Sequence, residues 1–346
     1  MDDRSDEMSG GPDWQGLLKW SLRHTDGTSS EPRRQITEEE RRWFYEAVAS
    51  QVEDEGERLK QNLLVLSQSH DGEIQGITIG RQIEVLEDLE DLVAQIDLAK
   101  TFVKLEGMGI LLSVARRRGP GGEDESVSRL RAGALTAAAV CLRHNAEGQA
   151  DFLARGGIEA MMEVVANDGE TVKVRAKAVG AVSAAVRHNF KAFIQFLHAA
   201  GLDIILLALK TAADTADVAE ASVPLLRKGF RLLEYVARES LQRFGKSVSQ
   251  VTNACVANGP GLVLAALQSS DMEVREASLA FLSELVRHDP GRVGASVREA
   301  AGGELAAALR EVGGMKEAEN EDRLDEIEIA RAILKDCAAA AGEGPG

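Results

Sequence analysis

The feature that most constrains this chain is a stretch that nearly repeats itself. Residues 141–165, "CLRHNAEGQADFLARGGIEAMMEVV", are echoed at residues 185–209 by "AVRHNFKAFIQFLHAAGLDIILLAL". The Arg-His-Asn triplet, the Phe-Leu pair and the Gly before the last apolar run all coincide, and His144 to His188 is a step of 188 − 144 = 44. At the same offset Arg131-Ala132 falls on Arg175-Ala176, Ala134 on Ala178 and Ala137 on Ala181. A third copy, "VREASLAFLSELVRHD", begins at Val274 and sets Arg275 and Arg287 100 residues after Arg175 and Arg187. The gap between them is filled by "LLRKGFRLLEYVARES" from Leu225, and a fainter copy, "VLEDLEDLVAQIDLAKTFVKLEGMGILL", starts at Val85.

Within each copy the apolar positions recur at spacings of 3 and 4, the buried stripe of an amphipathic helix. Gly109, Gly157, Gly201 and Gly261 precede the next apolar helix, where glycine is expected to serve a tight or left-handed turn. Helical units of about 40 to 47 residues are the armadillo/HEAT signature. One unit cannot cover its own apolar face, so neighbours stack into a superhelix with a concave groove. The expected fold is therefore all-α: an armadillo/HEAT-like right-handed solenoid of four to five three-helix repeats. Apolar residues make up 44% and aromatic residues only 4%, so Ala, Val and Leu must build most of the core.

Several functions are excluded on the same footing. Lys and Arg number 40 against 56 Asp and Glu, a net of −16, so the overall field repels nucleic acid and anionic membranes. Cys141, Cys255 and Cys337 lie far apart, with no zinc spacing and no disulfide framework, which suits a reducing compartment. The first residues, "MDDRSDEMSGG", lack the apolar region of a secretory signal, and no apolar run approaches a membrane span. A cytosolic location is expected. No HExxH, GxSxG or GxxxxGK[ST] occurs, so no catalytic residue, metal or cofactor is expected. His144, His188 and His288 are read as helix ends, where a basic side chain meets unpaired carbonyls.

Interest moves to the face of each long helix opposite its buried stripe. That face reads Ala132, Thr136, Ala139 and Arg143 in one unit, and Ala176, Gly180, Ser183 and Arg187 in the next. It continues with Arg227, Arg231, Glu234 and Arg238, then Glu276, Ala280, Ser283 and Arg287, while the early unit offers Glu87 and Glu90. Small residues let a partner approach, and Arg brings forked donors for carboxylates. A protein-docking surface is expected there.

The ends differ from the middle. Residues 1–36 are rich in Gly, Ser and acids and read as a flexible segment holding one apolar cluster, "WQGLLKWSLRH". Residues 37–80 open with a Thr-x-x-Glu capping box and read as a helical cap. Residues 81–312 hold the repeats, and residues 313–346 an acidic terminal helix and tail.

The segment "LLKWSLRH" resembles the "LLKWS" opening of the Fes/HspBP class of armadillo-type nucleotide exchange factors for heat-shock protein 70. "LEDLEDLVAQIDLAKTFVKLEGMGILL" is similar to that family's first repeat, and "VRAKAVGAVSAAVRHN" to one of its long helices. Glu106 stands where the family usually has a glycine-type residue. The resemblance implies a monomeric, non-enzymatic co-chaperone. Its concave face would bind the chaperone's ATPase domain through Glu87, Glu90, Arg143, Arg187, Arg227, Arg231, Glu234, Arg238 and Arg287, and promote ADP release. It further implies that Leu17, Leu18 and Trp20 in the N-terminal segment engage the peptide-binding domain and aid client release. The alternative is a generic armadillo adaptor without exchange activity.

Overall fold

The computed structural model describes residues 37–39, 42, 54–68, 77–117, 124–213, 220–244 and 249–342. The chain divides into two compact units, residues 1–58 and residues 59–346. In the first unit Glu38, Glu39 and Arg42 are helical, and Asp54 accepts hydrogen bonds from the Gly56 and Glu57 N–H groups at the start of helix α1 (Glu55–Gln68), most of which belongs to the second unit. The apolar Trp14–Trp20 cluster lies outside the described residues.

In the second unit the described residues form α-helices and short 3₁₀ turns and no strand. Three-helix units follow one another: α2 (Ile79–Val93), α3 (Ile96–Lys104) and α4 (Gly107–Ala115), then α5 (Glu125–Leu142), α6 (Ala146–Ala154) and α7 (Gly157–Ala166). Next come α8 (Val172–Val186), α9 (Phe190–His198) and α10 (Gly201–Ala213). The fourth unit has only two helices, α11 (Val223–Phe244) and α12 (Ser249–Leu267). The last holds α13 (Met272–His288), α14 (Pro290–Glu299) and α15 (Glu304–Gly313), and α16 (Leu324–Ala341) closes the stack. Each long helix packs on the next: α2 on α5, α5 on α8, α8 on α11, α11 on α13 and α13 on α16. Among the described residues no single helix is long and apolar enough to cross a membrane.

The Arg-His-Asn triplet is the joint between two helices. Arg143 and Arg187 leave helical geometry as C-caps, and His144 and His188 take left-handed φ values of 54° and 59°. Asn145 and Asn189 then cap the next helix by accepting from the Gly148 and Ala192 N–H groups, a contribution of about 1 kcal/mol each. Gln149 fastens unit to unit, donating to the carbonyls of Leu142, Ala184 and Arg187 and accepting from Asn189. The triplet is architectural.

The repeated Arg at the start of each long helix has an equally definite task. Arg131 donates from Nε to the Ala115 carbonyl, Arg175 to that of Val165, and Arg275 from Nη1 to Ser269 and Ser270. Each thereby satisfies carbonyls left over at the end of the preceding helix. Arg131 also pairs with Glu170 at 2.5 Å, and Arg275 with Glu326 at 2.8 Å, all four side chains being largely buried.

Glycine acts differently from expectation. The left-handed position belongs to the residue before it: Glu106 (φ 59°), Gly156 (φ 66°) and Ala200 (φ 53°). Gly107, Gly157 and Gly201 open α4, α7 and α10 because a ring lies where a Cβ would be. The rings of Phe102, Phe152 and Phe196 come within 2.2, 2.6 and 2.3 Å of that position. Gly109 and Gly261 are not such positions. Gly261 lies inside α12, has open space around it, and has Val256 rather than a phenylalanine five residues earlier. There α12 runs on as one helix where the other units break into two.

Ala200 pays no such steric toll as a ring would impose, yet its left-handed backbone is strained for any residue with a Cβ. Ala200→Gly is expected to stabilise the protein by about 1 kcal/mol, and Gly156→Ala to destabilise it by a similar amount. Urea denaturation of the two variants checks both signs at once.

Candidate functional site

The exposed flank of the long-helix ladder carries most of the charged residues singled out in the sequence. At its start Glu87 on α2 is exposed and meets Arg129 of α5 at 2.9 Å, while Glu90 is half-buried. Arg143 is exposed at the end of α5. The middle is the most organised part. Tyr235 of α11 carries two guanidinium groups over its ring, Arg187 at 4.9 Å and Arg238 at 5.9 Å from the centroid. Its hydroxyl donates to the Val186 carbonyl and accepts from the His188 N–H, tying α11 to the end of α8. Arg187 reaches the Arg231 carbonyl at 3.4 Å and Ser183 at 3.2 Å, and Arg238 pairs with Glu234 at 2.8 Å.

Further along, Arg227 and Arg231 meet Glu273 of α13 at 2.9 and 3.5 Å, and Arg227 also faces Asp271. Beyond this the sign changes. The Glu276 carboxyl is pushed up by burial and then by Asp325 and Glu326. Arg287 pairs with its own-helix neighbour Glu284 at 2.7 Å. Among the described residues no hydrogen bond or ion pair joins Glu90 or Arg287 to the Tyr235 group. Leu17, Leu18 and Trp20 lie outside the described residues.

The expected floor of small residues is only partly a floor. Ala132 and Ala176 are buried. Gly180 makes room for a side chain of the next helix: the Lys228 amine lies 3.1 Å from where a Cβ on Gly180 would stand. Lys228 is half-buried, and burial, then Lys177, Arg143 and Arg227, push its amine down to about 8. A groove of about 850 Å³ opens beside it between α8 and α11, lined by Glu170, Thr171, Lys173, Ala176, Lys177 and Pro224 among others. Arg143, Lys173, Lys177 and Lys228 have no acidic partner among the described residues, although the chain carries a net charge of −16. The sequence reading missed Lys177, Lys228, Arg129 and Tyr235. Lys177 and Lys228 each follow a stripe residue directly, so a stripe drawn one position wider would have included them.

The three cysteines are buried and unpaired, and burial pushes the thiols of Cys141 and Cys255 up to about 12, which makes them inert. His144 and His188 stack at 6.5 Å between ring centroids, and no group of three or more metal-ligating side chains gathers among the described residues. His288 is buried at the end of α13, its Nε2 2.5 Å from the Ala237 carbonyl.

The comparison that speaks most directly to this face concerns the segment leading into it. Residues 14–102 match the family of the nucleotide exchange factor Fes1. The match takes in the "LLKWSLRH" motif, α1, α2 and most of α3, and it bears out the resemblance read from those residues. It supports a general role in nucleotide exchange. No curated protein matches the chain. Among solved structures, a crystallised engineered protein is similar at 15% identity and TM-score 0.58, covering 84% of this chain and 98% of its own. A designed armadillo repeat protein is similar at 12% identity and TM-score 0.57, covering 81% and 99%. A second one, solved with the peptide (KR)4, is similar at 12% identity and TM-score 0.55, again covering 81% and 99%. At such identities these structures establish the armadillo-type fold and nothing more.

Proposed function

We propose that this protein is a cytosolic nucleotide exchange factor for heat-shock protein 70, acting through the ladder flank described above as its concave docking face. The observation that carries the reading is the Fes1-family match, which runs from the N-terminal apolar motif through α2 and most of α3 of the first repeat. The flank suits the task because Arg143, Arg187 and Arg231 set cations on three successive long helices of the packed ladder, with acidic side chains toward its two ends. Such a factor needs only to bind an open form of the chaperone's ATPase domain better than a closed one. ADP favours the closed form, so factor and nucleotide must weaken each other's binding equally. Leu17, Leu18 and Trp20 would then occupy the chaperone's peptide-binding domain and help release clients.

The designed armadillo protein solved with (KR)4 holds a basic chain. Here Arg143, Lys173, Lys177 and Lys228 stand without acidic partners, and that stripe would repel such a ligand, which argues against an adaptor for basic peptides.

The test is the release rate of a fluorescent ADP analogue from heat-shock protein 70. The full chain should accelerate release, and deletion of residues 1–32 should leave that acceleration in place. Arg231→Glu combined with Arg238→Glu should reduce it at least about tenfold, since each lost charge-assisted contact is worth about 1.5–3 kcal/mol, with the helical circular dichroism unchanged. Release that stays at the basal rate with wild-type protein bound would overturn the reading.

A further inference from the structure

We propose that the exposed face of α10 is a self-association surface, through which two copies of this chain pair weakly about a twofold axis. The inference does not rest on the exchange reading, and it departs from the monomer that the family resemblance implies. Its basis is a helix face complementary to itself, set beside a groove of about 560 Å³ between α10 and α12.

Three residues define the face. Asp203, Leu207 and Lys210 stand four and three positions apart, within about 60° of arc on the helix surface. All three are exposed, Leu207 at 65%, an unusual place for a large apolar side chain in the middle of a helix. Asp203 and Lys210 line the groove, and among the described residues neither side chain has an ion-pair or hydrogen-bond partner. The helix dipole accounts for the sign of each charge, acid in the first turn and base in the last. It does not account for a leucine held in solvent between them.

These positions fit a second copy running the other way. An antiparallel contact between two α10 helices, centred between Leu206 and Leu207, sets Asp203 of each copy opposite Lys210 of the other. It also brings the two Leu207 side chains together at the axis. Both ion pairs form at once, as an isologous interface requires. The neighbouring helix supplies the room. Leu206 and Leu262 line the groove beside Leu207, and Gly261 of α12 faces it with nothing within 4 Å of where a Cβ would stand. Glycine inside a helix is destabilising relative to alanine, and no neighbour within the chain uses the space it leaves. The Leu207 side chain of a second copy uses it. An antiparallel foreign helix would have to carry the same spacing of Asp, Leu and Lys, whereas a second copy has it by construction. Exposed ion pairs contribute little each, and every copy brings a net charge of −16. The dimer is therefore weak, half-formed at about 10–100 µM chain.

The experiment is sedimentation equilibrium of the full chain from about 1 to 300 µM, over which the mass should rise from one chain toward two. Asp203→Lys or Lys210→Asp sets like charges across both contacts and should weaken association at least about tenfold. The swap of Asp203→Lys with Lys210→Asp in one chain should restore it. Mixing the two single variants should restore it as well, because each then meets its opposite. Those restored pairings separate a lost contact from any loss of helix stability caused by a charge reversed against the dipole. The native cysteines are buried, so oxidised Leu207→Cys should give a covalent dimer, while Lys335→Cys, at another exposed position, should not. A chain that stays monomeric over the whole range would overturn the proposal, whatever else binds this face. Self-association that persists in Asp203→Lys, or that neither the swap nor the mixture restores, would overturn it by placing the contact elsewhere.

Discussion

Gly157→Ala is expected to destabilise the protein by about 3 kcal/mol, a large effect for one added methyl group. Three ring carbons of Phe152 lie 2.6 Å from the position the new Cβ would take. Phe152 is fully buried, so the ring has no free space to retreat into. The cause can be separated from a generic loss of backbone freedom. Phe152→Leu alone should cost about 1 to 1.5 kcal/mol, but the double variant should lose less than the sum, with a coupling of about 1 kcal/mol or more. Additive losses in urea titrations would show that the ring is not what excludes a side chain at Gly157.

The second large effect lies at the other end of the stack. Glu326 is completely buried and accepts from two guanidinium groups, Arg275 of α13 at 2.8 Å and Arg323 at 2.6 Å. Glu326→Ala strands Arg275, which is itself only 12% exposed, with no carboxylate. Removing one partner of a buried ion pair costs about 3–5 kcal/mol. Arg323→Ala should cost much less, because the Arg275–Glu326 bond survives it. Hydrogen exchange should place the damage in α16 and α13, with α5 and α8 keeping their protection. Uniform loss of protection along the chain would contradict the local origin.

Much of the scaffold was legible because it is periodic. Arg131, Arg175 and Arg275 recur in register because each serves the same carbonyls one helix back, and Asn145 and Asn189 recur because each caps the same helix start. What escaped the sequence is what depends on a specific neighbour. The reason for Gly157 and Gly201 is a ring five residues away in sequence, and only the structure shows it pressed against the glycine. Glu106 occupies a left-handed position that Gly156 fills in the next unit, so its type gave no hint of its backbone. In the fourth unit Gly261 keeps the spacing of a break, yet one helix runs straight through it. At the candidate site the Arg positions were visible as a stripe. Lys228 was hidden because its long side chain leans from α11 over Gly180 of α8, a reach that no single helix reveals.

The long helices α2, α5, α8, α11, α13 and α16 lie side by side, each touching the next, at the roughly 8–10 Å separation usual for packed helices. The charges on their exposed flank are therefore graduations on a ruler. A partner that grips Arg143, Arg187 and Arg231 takes one mark from each of three successive rungs, so it measures the pitch between units as much as the chemistry on them. Changes in a joint far from any contact, such as the Gln149 crosslink or the left-handed His188, would reset that spacing. Affinity for a rigid partner would then be tuned by the tilt of the rungs without altering a single side chain on the face.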